Sequence, residues 1–384
     1  MNRTAHYIDQ LVALLKFSGL WLYTNDLCNI NFYTPILRLG YMWSIFVANG
    51  VSVYQIGLKE SLKDIAIYIP VMVLINVQTL TVLIKNEQMK NLLNLLKICF
   101  TPYTEHWQFD LLEKANNFGW IIVRVYKGVM LFFYIFYFLL PTSADIIIYF
   151  LDYDTDTTYS LPSPLTGYLD KHPARSLKNC IVLSLAFLWV TINFLSNVGV
   201  MCSFFIIILY SHTILKIFNM YGDRLDFSST KTMRSSIIEL IHMHQNILKL
   251  SQGLKDFYGF IFSFQNLLTS VCLCLCLFTA STNKDKAIVL SYGFGVIYYI
   301  SLSFMCNLLG QFIQSESENV IVSISNIPWI HMKAALRRDV NLILLQGKRE
   351  IVISYKGRSP LNLRTFMSIL NTSYSYFMLL RSVA

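Results

Sequence analysis

Cysteine and histidine are the residue types with the widest chemistry here, and their spacing limits what they can do. Cys272, Cys274 and Cys276 form a C-x-C-x-C run. Thiolates can hold a zinc ion when four ligands converge on one point. On a helix only Cys272 and Cys276 share a face, and the segment is apolar throughout, so the run reads as small hydrophobic packing. His242 and His244 lie two apart in "IHMHQN". One helix does not aim both at one ion, and they read as part of a solvated cytoplasmic face. Cys180 has no clear partner for an outer disulfide. The chain carries no H-E-x-x-H, no G-x-S-x-G and no phosphate-binding glycine loop, so neither an enzymatic step nor a metal or cofactor is expected. Asn2-Arg3-Thr4 and Asn371-Thr372-Ser373 match the glycosylation pattern, but both fall where no glycan would be added and read as chance matches.

The remaining candidates need a membrane to make sense. Arg124 and Lys127 read as side chains reaching back to lipid headgroups, with a counter-ion role as the alternative. Asp145 follows Pro141 in "FLLPTSADIIIYF", and a carboxylate there needs a wet cavity or a partner. Aromatic rings and methionine recur in the outer halves of the apolar stretches: Tyr68, Met72, Tyr134, Phe138, Tyr149, Phe187, Trp189, Phe194 and Tyr292. Such a set can line a pocket for a small apolar ligand, with tyrosine hydroxyls adding sparse hydrogen bonds. Plain bundle packing or an interfacial belt is the alternative for each residue.

The elements that would position these residues follow from composition. Of 384 residues, 55% are hydrophobic and only 14% charged, with 27 Phe and 23 Tyr. Mean hydropathy is +0.50. So few charges cannot wet the surface of a soluble globule, where about 25% is usual. A soluble enzyme, a disordered chain, a coiled coil and a nucleic-acid-binding domain are excluded; the chain reads as an all-α membrane protein. Seven stretches suit a crossing of about 30 Å of hydrocarbon: 36–57, 64–84, 120–150, 178–212, 257–281, 287–313 and 361–382. With the N-terminus cytoplasmic, 19 Lys and Arg fall inside and 8 outside. That bias predicts an extracellular C-terminus. Residues 1–30 carry Ile8, Leu11, Val12, Leu15 and Leu22 at helical spacing and no cleavable leader pattern, which predicts an amphipathic segment. The inside segments 85–119, 213–256 and 329–347 also show helical periodicity. They predict helices continuing into a cytoplasmic anchor layer, with 314–360 as the anchor segment before the last helix, in one domain of 384 residues. The outer segment 151–177 holds "LPSPLTG" and is a plausible lid. No internal repeat supports a transporter. The last stretch, "LNLRTFMSILNTSYSYFMLL", is rich in Ser, Thr, Asn and Tyr and better suited to a water-filled path than to lipid.

The C-terminal quarter carries a pattern of its own. From Leu309 it reads "LGQFIQSESENVIVSISNIPWIHMKAALRRDVNLILLQGKREIVIS", then "SPLNLRTFMSILNTSYSYFMLLRSV". This resembles the C-terminal region of insect odorant receptors: a Gly- and Ser-rich exit from the sixth span, a Trp, a basic helix and a terminal S-Y-S-Y-F. The span count, the inside N-terminus and the length are also similar to that family. The related gustatory receptors end in a Thr-Tyr…Gln-Phe signature that is absent here. The loop 213–256 is short beside that of the co-receptor Orco, so the resemblance is to a ligand-binding tuning subunit.

The resemblance implies an odorant-gated, nonselective cation channel in the plasma membrane of an olfactory neuron dendrite. Four subunits, including Orco, would surround a pore lined by the last helix. A small hydrophobic volatile would sit among spans two to six, which implies Tyr68, Met72, Tyr134, Phe138, Tyr149, Phe187, Phe194 and Tyr292 as pocket residues. The family motif falls on Ser375, Tyr376, Phe377 and Met378, which implies Leu379 and Val383 as the gate and Ser382 as a polar pore residue. Arg381 would oppose cations on the conduction path and is placed off the pore or at its rim. A G-protein-coupled receptor is the rival. The inside N-terminus contradicts it, as does the lack of an Asp-Arg-Tyr run after span three and of Asn-Pro-x-x-Tyr in span seven.

Overall fold

The computed structural model describes residues 2–18, 20, 39–41, 43–44, 47, 50–51, 54, 58–100, 103, 105–135, 177–224, 230–284, 286–327, 329 and 332–383, with backbone alone at 2–5, 7, 17, 58–69, 72, 177–183, 186, 189, 230–232, 287–288 and 383. Its helices, in chain order, are α1 (Asn2–Phe17), α2 (Leu58–Ile84), α3 (Asn86–Phe100), α4 (His106–Tyr134), α5 (Leu177–Asp223), α6 (Thr230–Thr282), α7 (Lys286–Ser325), α8 (Ala334–Gly347) and α9 (Leu363–Val383). Among the described residues, Val190–Asp223, Met233–Thr282 and Val289–Ser325 are long and apolar enough to cross a membrane, and Val73–Ile84 is a shorter apolar segment. The first stretch of the hydropathy reading, 36–57, and the outer part of the third lie mostly outside the described residues.

α5 is the pillar of the bundle. Its run from Val200 to Leu209 is buried on every side, as befits a helix that is hydrophobic all round. α4 and α7 pack along it, and α6 crosses it and carries α2, α3 and α9. Phe204 of α5 meets Phe262 of α6 with ring centroids 3.9 Å apart and Tyr258 at 5.2 Å. α6 has 53 residues, or about 80 Å at 1.5 Å per residue. That far exceeds a bilayer's hydrocarbon, so a long amphipathic portion projects beyond it. α1 lays Ile8, Leu11 and Leu15 into the core, against α5 and α3. α3 ends at Phe100, just before the Thr101-Pro102 pair, where a helix is disfavoured.

The two histidines separate here. His242 is exposed, whereas His244 is buried with its ring 5.7 Å from that of Phe218. The reading of both as solvated is therefore corrected for His244: Met243, His244 and Ile247 lie on the face of α6 turned to α5. This position precedes the apolar stretch 257–281. Burial pushes the His244 imidazole down to about 4. In the unfolded chain it titrates near its usual value of about 6.5. Stability from the neutral ring is complete above that value and is lost as pH falls through the folded one, by about 3 kcal/mol at most. The protein in detergent is expected to melt earlier at pH 5 than at pH 7.5. H244L is expected to flatten that difference. An unchanged pH dependence in the variant would assign the acid sensitivity to other groups.

The C-terminal third is held by close backbone contacts. A Cβ on Gly259 would lie 2.7 Å from the Ser354 carbonyl oxygen, and one on Gly310 would lie 2.4 Å from that of Leu361. The segment 351–361 thus runs between α6 and α7 at backbone contact. It turns through Lys356 (φ 50°), Gly357 (φ 74°) and Ser359 (φ 47°), and the Leu361 N–H donates to the Ile353 carbonyl at 2.9 Å.

Candidate ligand cavity and gate helix

A cavity of about 390 Å³ opens between α4, α5 and α7. On α4 its wall is the stripe Ile122, Val125, Tyr126, Val129 and Phe133; on α7 it is Ile297, Tyr298, Ser301, Leu302 and Met305. Both follow the three- and four-residue steps of one helix face. Phe205 closes the back. Val125, Val129 and Ile297 are among the exposed hydrophobic residues, so the lip faces the side of the bundle. Nearly the whole lining is apolar, which suits a small hydrophobic ligand. Four rings organise the interior. Phe133 and Tyr298 meet edge to face at 4.9 Å, and Tyr126 and Phe205 do so at 5.3 Å. The phenols are tethered: Tyr126 donates to Asn197 Oδ1 at 2.6 Å and Tyr298 to Met130 Sδ at 3.3 Å.

Of the residues expected to form a pocket, the four whose side chains are described, Tyr134, Phe187, Phe194 and Tyr292, do not line this cavity. Tyr134 and Phe194 do come together, with centroids 5.0 Å apart, and Tyr134 shares a hydrogen bond of 2.8 Å with Thr191. Tyr134 follows Phe133 at the end of α4, and Phe194 meets it from α5. Phe187 is 44% exposed. Tyr292 is buried elsewhere, in a cluster with Cys272, Cys276, Tyr299 and Ile369 that joins α6, α7 and α9. The side chains of Tyr68 and Met72, and all of Phe138, Asp145 and Tyr149, lie outside the described residues. Tyr126, Phe133, Tyr298 and Asn197 were not singled out from the sequence. Their signal, aromatics on one helix face and an Asn in an apolar helix, is shared by many positions of this chain.

α9 has a packed face and an open one. Phe366, Ile369, Ser373 and Phe377 are buried against α6 and α7. Its base is pinned: Asn362 Oδ1 accepts the Thr365 N–H at 2.9 Å, Asn362 Nδ2 donates to Gln314 at 3.3 Å, and the Leu363 N–H donates to Gln311 at 3.4 Å. Arg364, Ser368, Asn371, Ser375, Leu379 and Ser382 are all exposed. At about 100° per residue they fall within about 80° of one another, a single stripe along the helix. Leu379 is 61% exposed, and the Ser382 hydroxyl donates to its carbonyl oxygen at 2.7 Å. Arg381 is exposed but about 100° off the stripe. The side chain of Val383 lies outside the described residues.

Among the described residues, a helical bundle with apolar pillars, a lateral apolar cavity and a last helix with a polar outer stripe has the architecture of a membrane protein. The family model described as 7tm Odorant receptor matches residues 58–374, and the chain belongs to that family. Curated relatives include Odorant receptor 10 of Aedes albopictus, 26% identical over 42% of this chain and 44% of that protein. The Odorant receptor coreceptor of Harpegnathos saltator is 23% identical over 42% and 39%. The matching stretches span less than half the length of these relatives. The fold is similar to that of the insect olfactory receptor OR5 from Machilis hrabei, solved in complex with eugenol, with a TM-score of 0.79, 13% identity and coverage of 99% and 98%.

Proposed function

We propose that this chain is the ligand-binding subunit of an odorant-gated, nonselective cation channel, assembled with the coreceptor Orco around a pore lined by α9. It would lie in the plasma membrane of an olfactory neuron dendrite, with seven spans, the N-terminus inside and the C-terminus outside. The observation that carries this reading is the open stripe of α9. A row of Ser, Asn and Arg on a helix of a membrane bundle needs water or a partner. Four such rows facing one axis would make a wet path, narrowed where Leu379 and Val383 add apolar side chains that close by dewetting. The lateral cavity supports a ligand that partitions into the bilayer, and the rings of Tyr134 and Phe194 would cap its outer end. A ligand must bind the open state more tightly than the closed one to act at all. The test is whole-cell current in cells expressing the chain with and without Orco, under a broad panel of volatiles and with G-protein signalling blocked. A fast cation current that requires both the chain and a volatile is expected. Silence, with the protein shown at the surface, would sink the reading.

A further inference from the structure

Five helices share one buried row of polar side chains. Tyr126 of α4, on the cavity wall, donates to Asn197 Oδ1 of α5 at 2.6 Å; Asn197 Nδ2 donates to Gln78 Oε1 of α2 at 3.4 Å; Gln78 Nε2 donates to Gln265 Oε1 of α6 at 3.1 Å; Gln265 Nε2 donates to Cys306 Sγ of α7 at 3.7 Å. Gln78, Asn197 and Gln265 are each at most 4% exposed. The next residues along α6 and α7 form a second limb, in which Asn307 Nδ2 is held chiefly by the Ser303 carbonyl at 2.8 Å. Asn307 Nδ2 donates to Asn266 Oδ1 at 3.4 Å, and Asn266 Nδ2 donates to Ser359 Oγ at 3.3 Å. Ser359 sits at positive φ in the turn that leads into α9. Apolar side chains of the same volume would fill this space with no amides to satisfy, and such replacements are often neutral or stabilising. Packing alone therefore does not account for the row.

The second limb is also incomplete at Asn307. Asn307 is fully buried, and its Oδ1 has no hydrogen-bond partner among the described residues. A partly satisfied network in a low-dielectric core leaves a rearranged state within reach, because a small shift could satisfy that oxygen. The cavity wall lies at one end and the approach to α9 at the other.

We propose that Gln265 is the positioning residue of a buried amide relay that transmits occupancy of the cavity, through Tyr126, to the turn before α9; this rests on the channel reading above. A ligand touching the Tyr126 ring shifts its hydroxyl, the amides re-pair in turn, and the Asn266–Ser359 link carries the change to the base of α9. Gln265 and Asn266 are neighbours on α6, as Cys306 and Asn307 are on α7, so the helix backbones are what join the two limbs.

The test uses the full chain with Orco, the most effective member of a panel of small alcohols, esters, aromatic ethers and terpenoids, and surface biotinylation. Y126F and Q265M are each expected to lower the maximal current at saturating odorant about tenfold. Y126F/Q265M is expected to be no worse than either single variant, because both break one relay. S359A, outside the packed core, is expected to lower maximal current too. It serves as the arbiter if Q265M fails to reach the surface. Independent, multiplicative losses would overturn the relay, as would wild-type maximal current in Q265M or S359A at normal surface amount. A wild-type chain silent to every member would overturn the channel reading, and the relay with it. A mere packing role would lower surface amount while leaving current per surface channel unchanged, and that result also overturns the proposal.

Discussion

Gly310→Ala is expected to remove most of the folded protein from the cell surface. The added Cβ would lie 2.4 Å from the Leu361 carbonyl oxygen and 2.5 Å from its Cβ. Real Cβ atoms do not approach other atoms so closely, so either α7 or the segment 351–361 must move. Neither moves freely. Leu361 is bonded through its N–H to Ile353, Ile351 N–H donates to Ser317 Oγ at 3.0 Å, and α9 begins two residues later on Gln311. Over-packing a core costs about 1–3 kcal/mol, and a backbone obstacle puts this case at the upper end. That is a large share of a stability of about 5–15 kcal/mol. The control is Gly128→Ala on α4, where a Cβ meets nothing within 4 Å. Surface biotinylation and thermal stability in detergent measure both variants. Equal values for the two would mean that α7 and the segment 351–361 can part to admit a side chain at little cost.

Leu379→Ser is expected to raise the ligand-free current about tenfold, equivalent to about 1.4 kcal/mol in the closed–open equilibrium. Leu379 is 61% exposed on the polar stripe of α9, and its neighbour on that stripe one turn on is Ser382. In the proposed ring of subunits this leucine, with Val383, would be the apolar interruption of an otherwise wettable path. A hydroxyl there lets water, and then ions, persist in the closed state. Leu380→Ser is the matched control: Leu380 is also exposed but is turned about 100° away from Leu379. The readout is basal current that a pore blocker removes, normalised to surface protein. A basal current unchanged in Leu379→Ser, or raised equally in Leu380→Ser, would move the gate away from this position.

Much of the architecture was legible from local rules. Hydropathy alone marks the pillars, because α5 from Val190 onward is so continuously apolar that it can only be buried or in lipid. The polarity of α9 is also a sequence property, with Ser368, Asn371 and Ser375 recurring at three- and four-residue steps. The cysteine run reads as packing from spacing alone, and the structure puts Cys272 and Cys276 in the same cluster with Tyr292. The histidine pair shows the limit of such reasoning. Two residues apart on one helix separate an exposed side chain from a buried one, and only the partner, Phe218 of α5, decides which is which.

By itself the sequence determined that this is an apolar helical membrane protein with a polar final helix and a C-terminal family signature. Those properties are sums over local composition and period, which need no partner. Only the tertiary structure decided that Tyr126 and Tyr298 face one cavity, that Asn197, Gln78 and Gln265 meet, and that Gly310 admits no side chain while Gly128 does. Each depends on how helices far apart in the chain are rotated and spaced against one another. In a bundle where nearly every face is apolar, hydrophobicity does not choose the rotation. Specific packing and the pairing of a few buried amides do.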